Sequence, residues 1–147
     1  MNIVKNIEQY NEDYVYFCEP IKNNIMNNGN FIRIIYSNSL FTLNGIYLIL
    51  NINFTSVDKY YNKYKFTFDC NSHKELIANI RTIEEGLLKK INISNKFQQL
   101  KIYEQIKHGN IKVFSTNKKI SNHFLLKIAG IWETDTEYGL TYKITNI

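Results

Sequence analysis

The three histidines are the first residues to test for chemistry, because an imidazole can bind a metal or relay a proton near neutral pH. His73, His108 and His123 are scattered along the sequence, and only His73 is followed closely by a carboxylate, that of Glu75. This spacing does not match the common sets of metal ligands. Cys70 precedes His73 by three residues, which is more typical of a small buried thiol than of an activated nucleophile. We therefore predict neither a metal site nor a cysteine nucleophile.

Carboxylates and glycines give no stronger indication of catalysis. Glu84 and Glu85 fall on the polar side of a predicted helix, and three further acids cluster at residues 133–137, where a solvated acidic surface is the ordinary explanation. The six glycines are isolated and form no phosphate-binding loop. Cys18 and Cys70 lack a CxxC spacing, so reduced thiols in an intracellular compartment are expected. We predict a protein that is not an enzyme and that uses no cofactor.

One segment has the composition of a binding surface. Residues 59–66 read KYYNKYKF. Single-stranded nucleic acid binds to aromatic rings that stack on bases and to cations that follow the phosphates. Strand alternation would bury Tyr64 and turn Tyr61, Lys63 and Lys65 outward, and neighbouring strands would extend the patch. The predicted nucleic-acid-binding residues are Arg33, Tyr36, Lys59, Tyr61, Lys63, Lys65, Lys127 and Lys143.

The distribution of charge supports the same interpretation. The net charge is +5, yet residues 1–20 hold four acids against Lys5, whereas residues 89–127 hold nine lysines against Glu104. Such a block attracts phosphate, although a solvated lysine-rich surface explains it equally well. Asn, Ile, Lys and Tyr are also abundant in AT-rich coding sequences, so the placement of these residues carries more weight than their number.

Residues 31–68 alternate between apolar and polar at period two, which predicts two or three antiparallel strands. The last of these covers residues 59–68. Breaks occur at Ser37-Asn38-Ser39 and at Asn44-Gly45. Asn-Gly favours a tight hairpin, but the segment before it is short enough that a bulge fits equally well.

The period then changes to that of a helix. Ser72 and Glu75 have the spacing of a capping box, and four apolar residues follow on one helical face up to Lys89-Lys90. A second, shorter helix or a turn is predicted over residues 100–108, with Gly109 as its C-terminal stop.

Three strands are predicted after the helices, at residues 111–115, 124–132 and 138–144. The last two form a hairpin across the acidic connection. Alternation along residues 124–132 places Trp132 on the same core face as Phe124 and Ile128.

Three strands, a helix and two or three strands are the element order of the OB-fold, a small antiparallel barrel that binds oligonucleotides. We therefore predict a mainly β, OB-fold-like barrel of five to six strands, with the helix after the third strand. An α+β sandwich is the alternative. The chain is long enough for one core, so residues 1–147 are expected to form a single domain, with residues 1–20, bounded by Pro20, as a candidate N-terminal arm. The first residues lack the apolar central region of a signal peptide and the longest apolar run is too short to span a bilayer, so we expect neither a signal peptide nor a membrane span.

Two C-terminal segments, KIYEQIKHGNIKVF at 101–114 and LKIAGIWETDTEYGLTYKI at 126–144, resemble short proteins of large nucleocytoplasmic DNA viruses related to phage-type single-stranded DNA-binding proteins. The resemblance covers under half the chain, and its most distinctive part is GIW, an acidic turn and YGLTYK. It implies an OB-fold that coats single strands during replication. Phage-type members end in an acidic tail that recruits partners. This chain ends LTYKITNI, so the resemblance does not extend to such recruitment.

Together these observations predict a protein that binds single-stranded DNA or RNA with little sequence preference, in viral DNA replication or repair. A homo-oligomer and replication proteins are further partners consistent with that role, and no membrane is expected. The predicted location is intracellular, in the host cytoplasm or nucleus or in a viral factory. A virion structural protein or a host-interaction module is the alternative function, and it explains the β-rich fold equally well.

Overall fold

The computed structural model describes residues 5–23, 29–114 and 119–147. Its strands form a large sheet and a separate three-stranded sheet. The helices are α1 (Lys74–Ile91) and α2 (Lys101–Ile106). The strands are β1 (Lys5–Asn6), β2 (Val15–Phe17), β3 (Ile21–Asn23), β4 (Gly29–Ser37), β5 (Thr42–Leu43), β6 (Ile46–Asn51), β7 (Phe54–Tyr60), β8 (Lys63–Phe68), β9 (Phe97–Gln99), β10 (Asn110–Phe114), β11 (His123–Glu133) and β12 (Glu137–Asn146).

The large sheet is built around β11. This strand pairs antiparallel with β12 along one edge, and along the other edge it pairs first with β6 and then with β4. The short strands β1 and β9 add in parallel to β6 and β12, while β2, β3 and β5 pair with β4. The sheet curls into a half-barrel. The predicted mainly β fold is therefore confirmed, as is the β11–β12 hairpin.

The number of strands differs from the prediction. Within the described residues the structure has twelve strands, and eight of them precede α1, where five to six strands and a helix after the third were predicted. The segment predicted as one strand over residues 59–68 is two strands joined by a turn at Tyr61-Asn62. Residues 5–17, predicted as part of an arm, contribute β1 and β2 to sheet pairing, and Val15 is buried. Ser115, predicted to end a strand, lies outside the described residues, as do residues 1–4 of the arm.

The Asn44-Gly45 pair does not close a hairpin. Strand β5 pairs back onto β4, and the turn between them is held by the Asn38 side chain, which accepts hydrogen bonds from the N–H groups of Leu40 and Phe41. Gly45 has a φ of 124° and lies against the main-chain carbonyl of Ile128. Glycine is needed here because a side chain would meet that carbonyl, at the point where β11 changes its partner strand.

The predicted long helix is confirmed as α1, but its capping box is wrong. The chain first forms a 3-10 turn at Cys70–His73, begun by the Asp69 carboxylate, which accepts the N–H of Asn71. The Ser72 hydroxyl donates to the Asp69 carbonyl instead of capping α1. Asn92, with a φ of 53°, ends the helix in the left-handed conformation that glycine usually supplies. The segment predicted as a shorter helix or a turn forms the six-residue helix α2.

The core joins the helix to both sheets. Ile80 and Ile83 of α1 enclose a small internal space together with Leu48, Leu126 and Ile128 of the large sheet. The three-stranded sheet adds Phe66, whose ring lies 4.9 Å from that of Phe124 of β11, centroid to centroid. Each such buried side chain contributes roughly 1.5–3 kcal/mol to stability. Because the three-stranded sheet buries this face, its opposite face points outward. Within the described residues, neither helix is long and apolar enough to cross a membrane.

Candidate functional site

The hairpin of β7 and β8 carries the basic and aromatic segment singled out in the sequence. Its turn requires Tyr61 to adopt a φ of 55°, and the Tyr61 side chain is 98% exposed. Along β8 the side chains alternate as predicted, because Phe66 and Phe68 are buried while Lys63 points outward. The turn therefore presents a large ring to solvent at the tip of a basic hairpin.

Strand pairing adds residues from β7 and β10 to the outward face of β8. Lys65 lies opposite Asp58 on one side and opposite Lys112 of β10 on the other. Tyr60, 55% exposed, lies opposite Lys63. We call this face and its tip the hairpin surface, made of Asp58, Tyr60, Tyr61, Lys63, Lys65 and Lys112.

A shallow depression of about 320 Å³ lies in the hairpin surface, lined by Tyr60, Lys63, Lys65 and Lys112 together with Tyr64. The salt bridges among the described residues involve neither Lys65 nor Lys112. Like charges opposite each other on neighbouring strands repel, so this pair favours an anion placed between the two ammonium groups. The depression thus combines phosphate attraction with exposed aromatic rings.

Lys112, Tyr60 and Tyr64 were not among the predicted site residues. The alternation of Ile111, Lys112 and Val113 does indicate that Lys112 points outward. Its pairing with β8, which is over forty residues away in sequence, has no local signal. One uninterrupted strand would place Tyr60 on the buried face together with Tyr64, whereas the turn places Tyr60 opposite Lys63. Lys59 was a predicted site residue, but its amine lies 5.8 Å from the centroid of the Tyr64 ring and does not line the depression.

Three predicted site residues lie on the other sheet. Lys127 of β11 and Lys143 of β12 are directly opposite each other on the outward face of the large sheet, and Arg33 of β4 lies opposite Gly130. None of the three lines the depression. The predicted patch is therefore divided between two surfaces.

Tyr36 is removed from the predicted patch, because it lies in the core with 2% of its surface exposed. Its hydroxyl accepts a hydrogen bond of 3.0 Å from the N–H of Asn11, and its ring packs against those of Tyr10, Tyr14 and Phe41. Period two along β4 places Tyr36 with the buried Ile34, and that pattern was the signal for a core position.

The prediction that Trp132 shares the core face of β11 is wrong. A β-bulge interrupts the register between Ile128 and Gly130, so Ala129 is an extra residue and the alternation changes phase. Ile128 and Ile131 are both buried as a result, and Trp132 points to the outward face and is only partly buried. The alternation of apolar residues in the sequence did not predict this bulge.

Glu84 also differs from its prediction, because it is buried with 1% of its surface exposed. Its two carboxylate oxygens accept hydrogen bonds from the N–H groups of Ile102 and Tyr103, at 3.1 and 2.9 Å. Burial raises the pKa of Glu84, and the two hydrogen bonds partly oppose that effect. Glu84 thus supplies the cap that α2 lacks from its own chain segment. Its position four residues after Ile80, on the apolar face of α1, was a usable signal.

His73 has a structural role. Its Nε2 accepts a hydrogen bond of 3.1 Å from the N–H of Asn53, and its Nδ1 donates to the Asp69 carbonyl at 2.7 Å. The ring thereby ties the connection after β6 to the turn before α1. The Cys70 thiol donates to the Lys107 carbonyl. In the described part of the chain, no three His, Cys, Asp or Glu side chains are placed to hold a metal ion.

Comparison with known proteins does not supply a relative. No family model, no curated protein and no solved structure matches the chain. The function must therefore be argued from the geometry of the surfaces.

Proposed function

We propose that the protein binds single-stranded DNA or RNA through the hairpin surface, without a catalytic step. The observation that carries the proposal is the convergence of Lys63, Lys65 and Lys112 with Tyr60 around one depression. Lysines in this arrangement attract the phosphates, and exposed rings stack on bases, each base contributing roughly 1–3 kcal/mol. Every base has a face that can stack, so little sequence preference is expected.

The OB-fold and the role in viral replication belong to the same proposal. The half-barrel, with α1 placed between two groups of strands, supports an OB-like arrangement in which ligands contact the outward face of strands. The C-terminal resemblance described above supports the replication role and an intracellular location.

The direct test is the fluorescence anisotropy of labelled oligo-dT, measured over a range of salt concentrations. Binding releases counterions, so the log–log slope should be about −0.7 for each phosphate contacted on a single strand. Oligo-dA should bind with similar affinity. Binding that does not depend on salt, or no binding at low salt, would contradict the proposal and favour a structural or host-interaction role.

A double substitution, Lys63→Ala with Lys65→Ala, tests the location. If both lysines contact phosphate, the slope flattens by about 1.4, which corresponds to roughly a sixtyfold loss of affinity at about 50 mM salt. The matched control is Lys74→Ala with Lys89→Ala, two exposed lysines on α1, which should leave the slope unchanged. Equal losses in both double variants would show that affinity follows total charge and not this surface.

A further inference from the structure

The outward face of the large sheet carries a second group of aromatic and cationic side chains. The bulge at Ala129 brings Trp132 onto the face that already holds Lys127. Lys143 and Tyr47 flank Lys127 on β12 and β6, and Arg33 flanks Gly130 on β4. We call Arg33, Tyr47, Lys127, Trp132 and Lys143 the large-sheet face.

A glycine on the neighbouring strand leaves room for the Trp132 ring. Gly139 lies opposite Trp132, and a Cβ atom at Gly139 would come within 2.8 Å of the indole. The ring therefore packs closely over the β12 backbone at Gly139, because Gly139 has no side chain to displace it. A ring packed in this way loses little conformational freedom when a second planar group stacks on it.

A shallow, open cavity of about 510 Å³ lies beside Trp132, where β9 ends and α2 begins. The Lys101 amine is 5.6 Å from the Trp132 ring centroid, and Tyr142 and Thr141 line the cavity with it. Glu137 also lines the cavity and offsets the charge of Lys101, so stacking must supply more of the binding here than charge does.

The cations of the large-sheet face lie farther along the same surface. Lys127 and Lys143 face each other across neighbouring strands, and the Lys127 amine lies 5.5 Å from the Tyr47 ring centroid. The salt bridges within the described residues include none of Lys127, Lys143 and Arg33. Two opposed lysines without an acidic partner attract an anion. A single-stranded nucleic acid with one base stacked on Trp132 would place its phosphates along this face.

We propose that Trp132 is a base-stacking residue and that the large-sheet face is a second binding surface for single-stranded nucleic acid. This inference rests on the proposed function and adds to it a second contact, on a different sheet from the hairpin surface. One strand that engages both surfaces gains affinity from the linkage of the two contacts.

Trp132 is the only tryptophan, so its emission reports on this site without a label. Oligo-dT should quench the tryptophan emission of the full chain, over the same concentrations at which anisotropy of a labelled strand shows binding. Trp132→Leu should weaken binding about 5- to 150-fold, the range expected for the loss of one stacked base. Trp132→Phe keeps an aromatic ring and should restore most of the affinity. Protection of Trp132 from acrylamide by oligo-dT, measured in the unsubstituted protein, gives a result even if the leucine variant does not fold.

The two proposals fail in different ways. The inference would be overturned if oligo-dT bound while the Trp132 emission, its access to acrylamide and the affinity of the leucine variant all stayed unchanged. The hairpin surface would then remain as the site. No strand binding at all would overturn the proposed function together with the inference. Quenching that persists in the Lys63→Ala and Lys65→Ala double variant, at higher strand concentrations, would support two separate surfaces.

Discussion

Glu84 and the lysines of the hairpin surface show two different uses of charged side chains in one small protein. The Glu84 carboxylate is enclosed, and both its oxygens accept hydrogen bonds from the first turn of α2. Lys65 and Lys112 lie opposite each other on an outward face, outside the salt bridges of the described residues. A buried side chain that accepts two main-chain N–H groups contributes to stability through those hydrogen bonds, whereas an exposed charge contributes little to stability and remains available for a ligand. Substitutions in the two regions should therefore change different measurements.

Removal of the Glu84 side chain should give the largest effect. Glu84→Ala leaves two buried N–H groups without their acceptor and opens a cavity, so we expect the free energy of unfolding to fall by about 2–4 kcal/mol. Chemical denaturation measures this loss, provided that the unfolding free energies of the two proteins fall equally steeply with denaturant concentration. Glu85→Ala is the control, because Glu85 is exposed and its ion pair with Arg81 is an i,i+4 surface pair, contributing about 0.5 kcal/mol or less. Equal losses in the two variants would contradict a capping role for Glu84.

The pH dependence of stability should identify the same carboxyl. Burial raises the pKa of Glu84 in the folded protein above that of the unfolded chain. In the interval between the two pKa values the folded state holds a proton that the unfolded state has released. The contribution of Glu84 is therefore complete below its ordinary pKa and is lost as the pH rises through the raised value.

Glu84→Gln should flatten the stability profile in that interval above the ordinary carboxyl pKa. Glu133 serves as the internal comparison, since the hydrogen bond from Lys96 lowers its pKa. Its contribution is present above the ordinary value and is lost as the pH falls, on the acid side. If the profile of the Glu84→Gln variant had the same slope as that of the unsubstituted protein, the pKa of Glu84 would not change on folding.

The sequence predicted the secondary-structure elements more accurately than the pairing between strands. Strand alternation and helical periodicity are local properties, so α1, α2, β10, β11 and β12 were all found near their observed positions. The pairing of β8 with β10 is a long-range property, and the hairpin surface consequently lacked Lys112 in the prediction. The bulge at Ala129 reversed the face of Trp132, because period two assumes an uninterrupted strand.

Lys112 and Lys59 test what the pairing of β10 adds to the sequence pattern. Lys112→Ala should flatten the salt slope for oligo-dT by about 0.7, equivalent to roughly an eightfold loss of affinity at about 50 mM salt. Lys59→Ala should leave the slope unchanged, because the Lys59 amine lies over Tyr64 and outside the depression. Melting temperatures of both variants should stay close to that of the unsubstituted protein. The reverse result, in which only Lys59→Ala weakens oligo-dT binding, would mean that the nucleic acid binds the opposite side of the hairpin.

The smallest effect should come from Asp58, the acid on the hairpin surface. Asp58 lies opposite Lys65, so it offsets part of the attraction between that lysine and a phosphate. A negative charge about 7 Å from a phosphate in water repels it by roughly 0.6 kcal/mol, so Asp58→Asn should strengthen oligo-dT binding about two- to threefold at low salt. The gain should vanish at high salt, where screening removes it. Anisotropy titrations at low and at high salt measure this gain.

Asp13→Asn, a substitution of an exposed acid outside both binding surfaces, is the control for net charge. If Asp13→Asn gave the same gain, the attraction would belong to the protein as a whole; a gain confined to Asp58→Asn would place the phosphates beside Lys65.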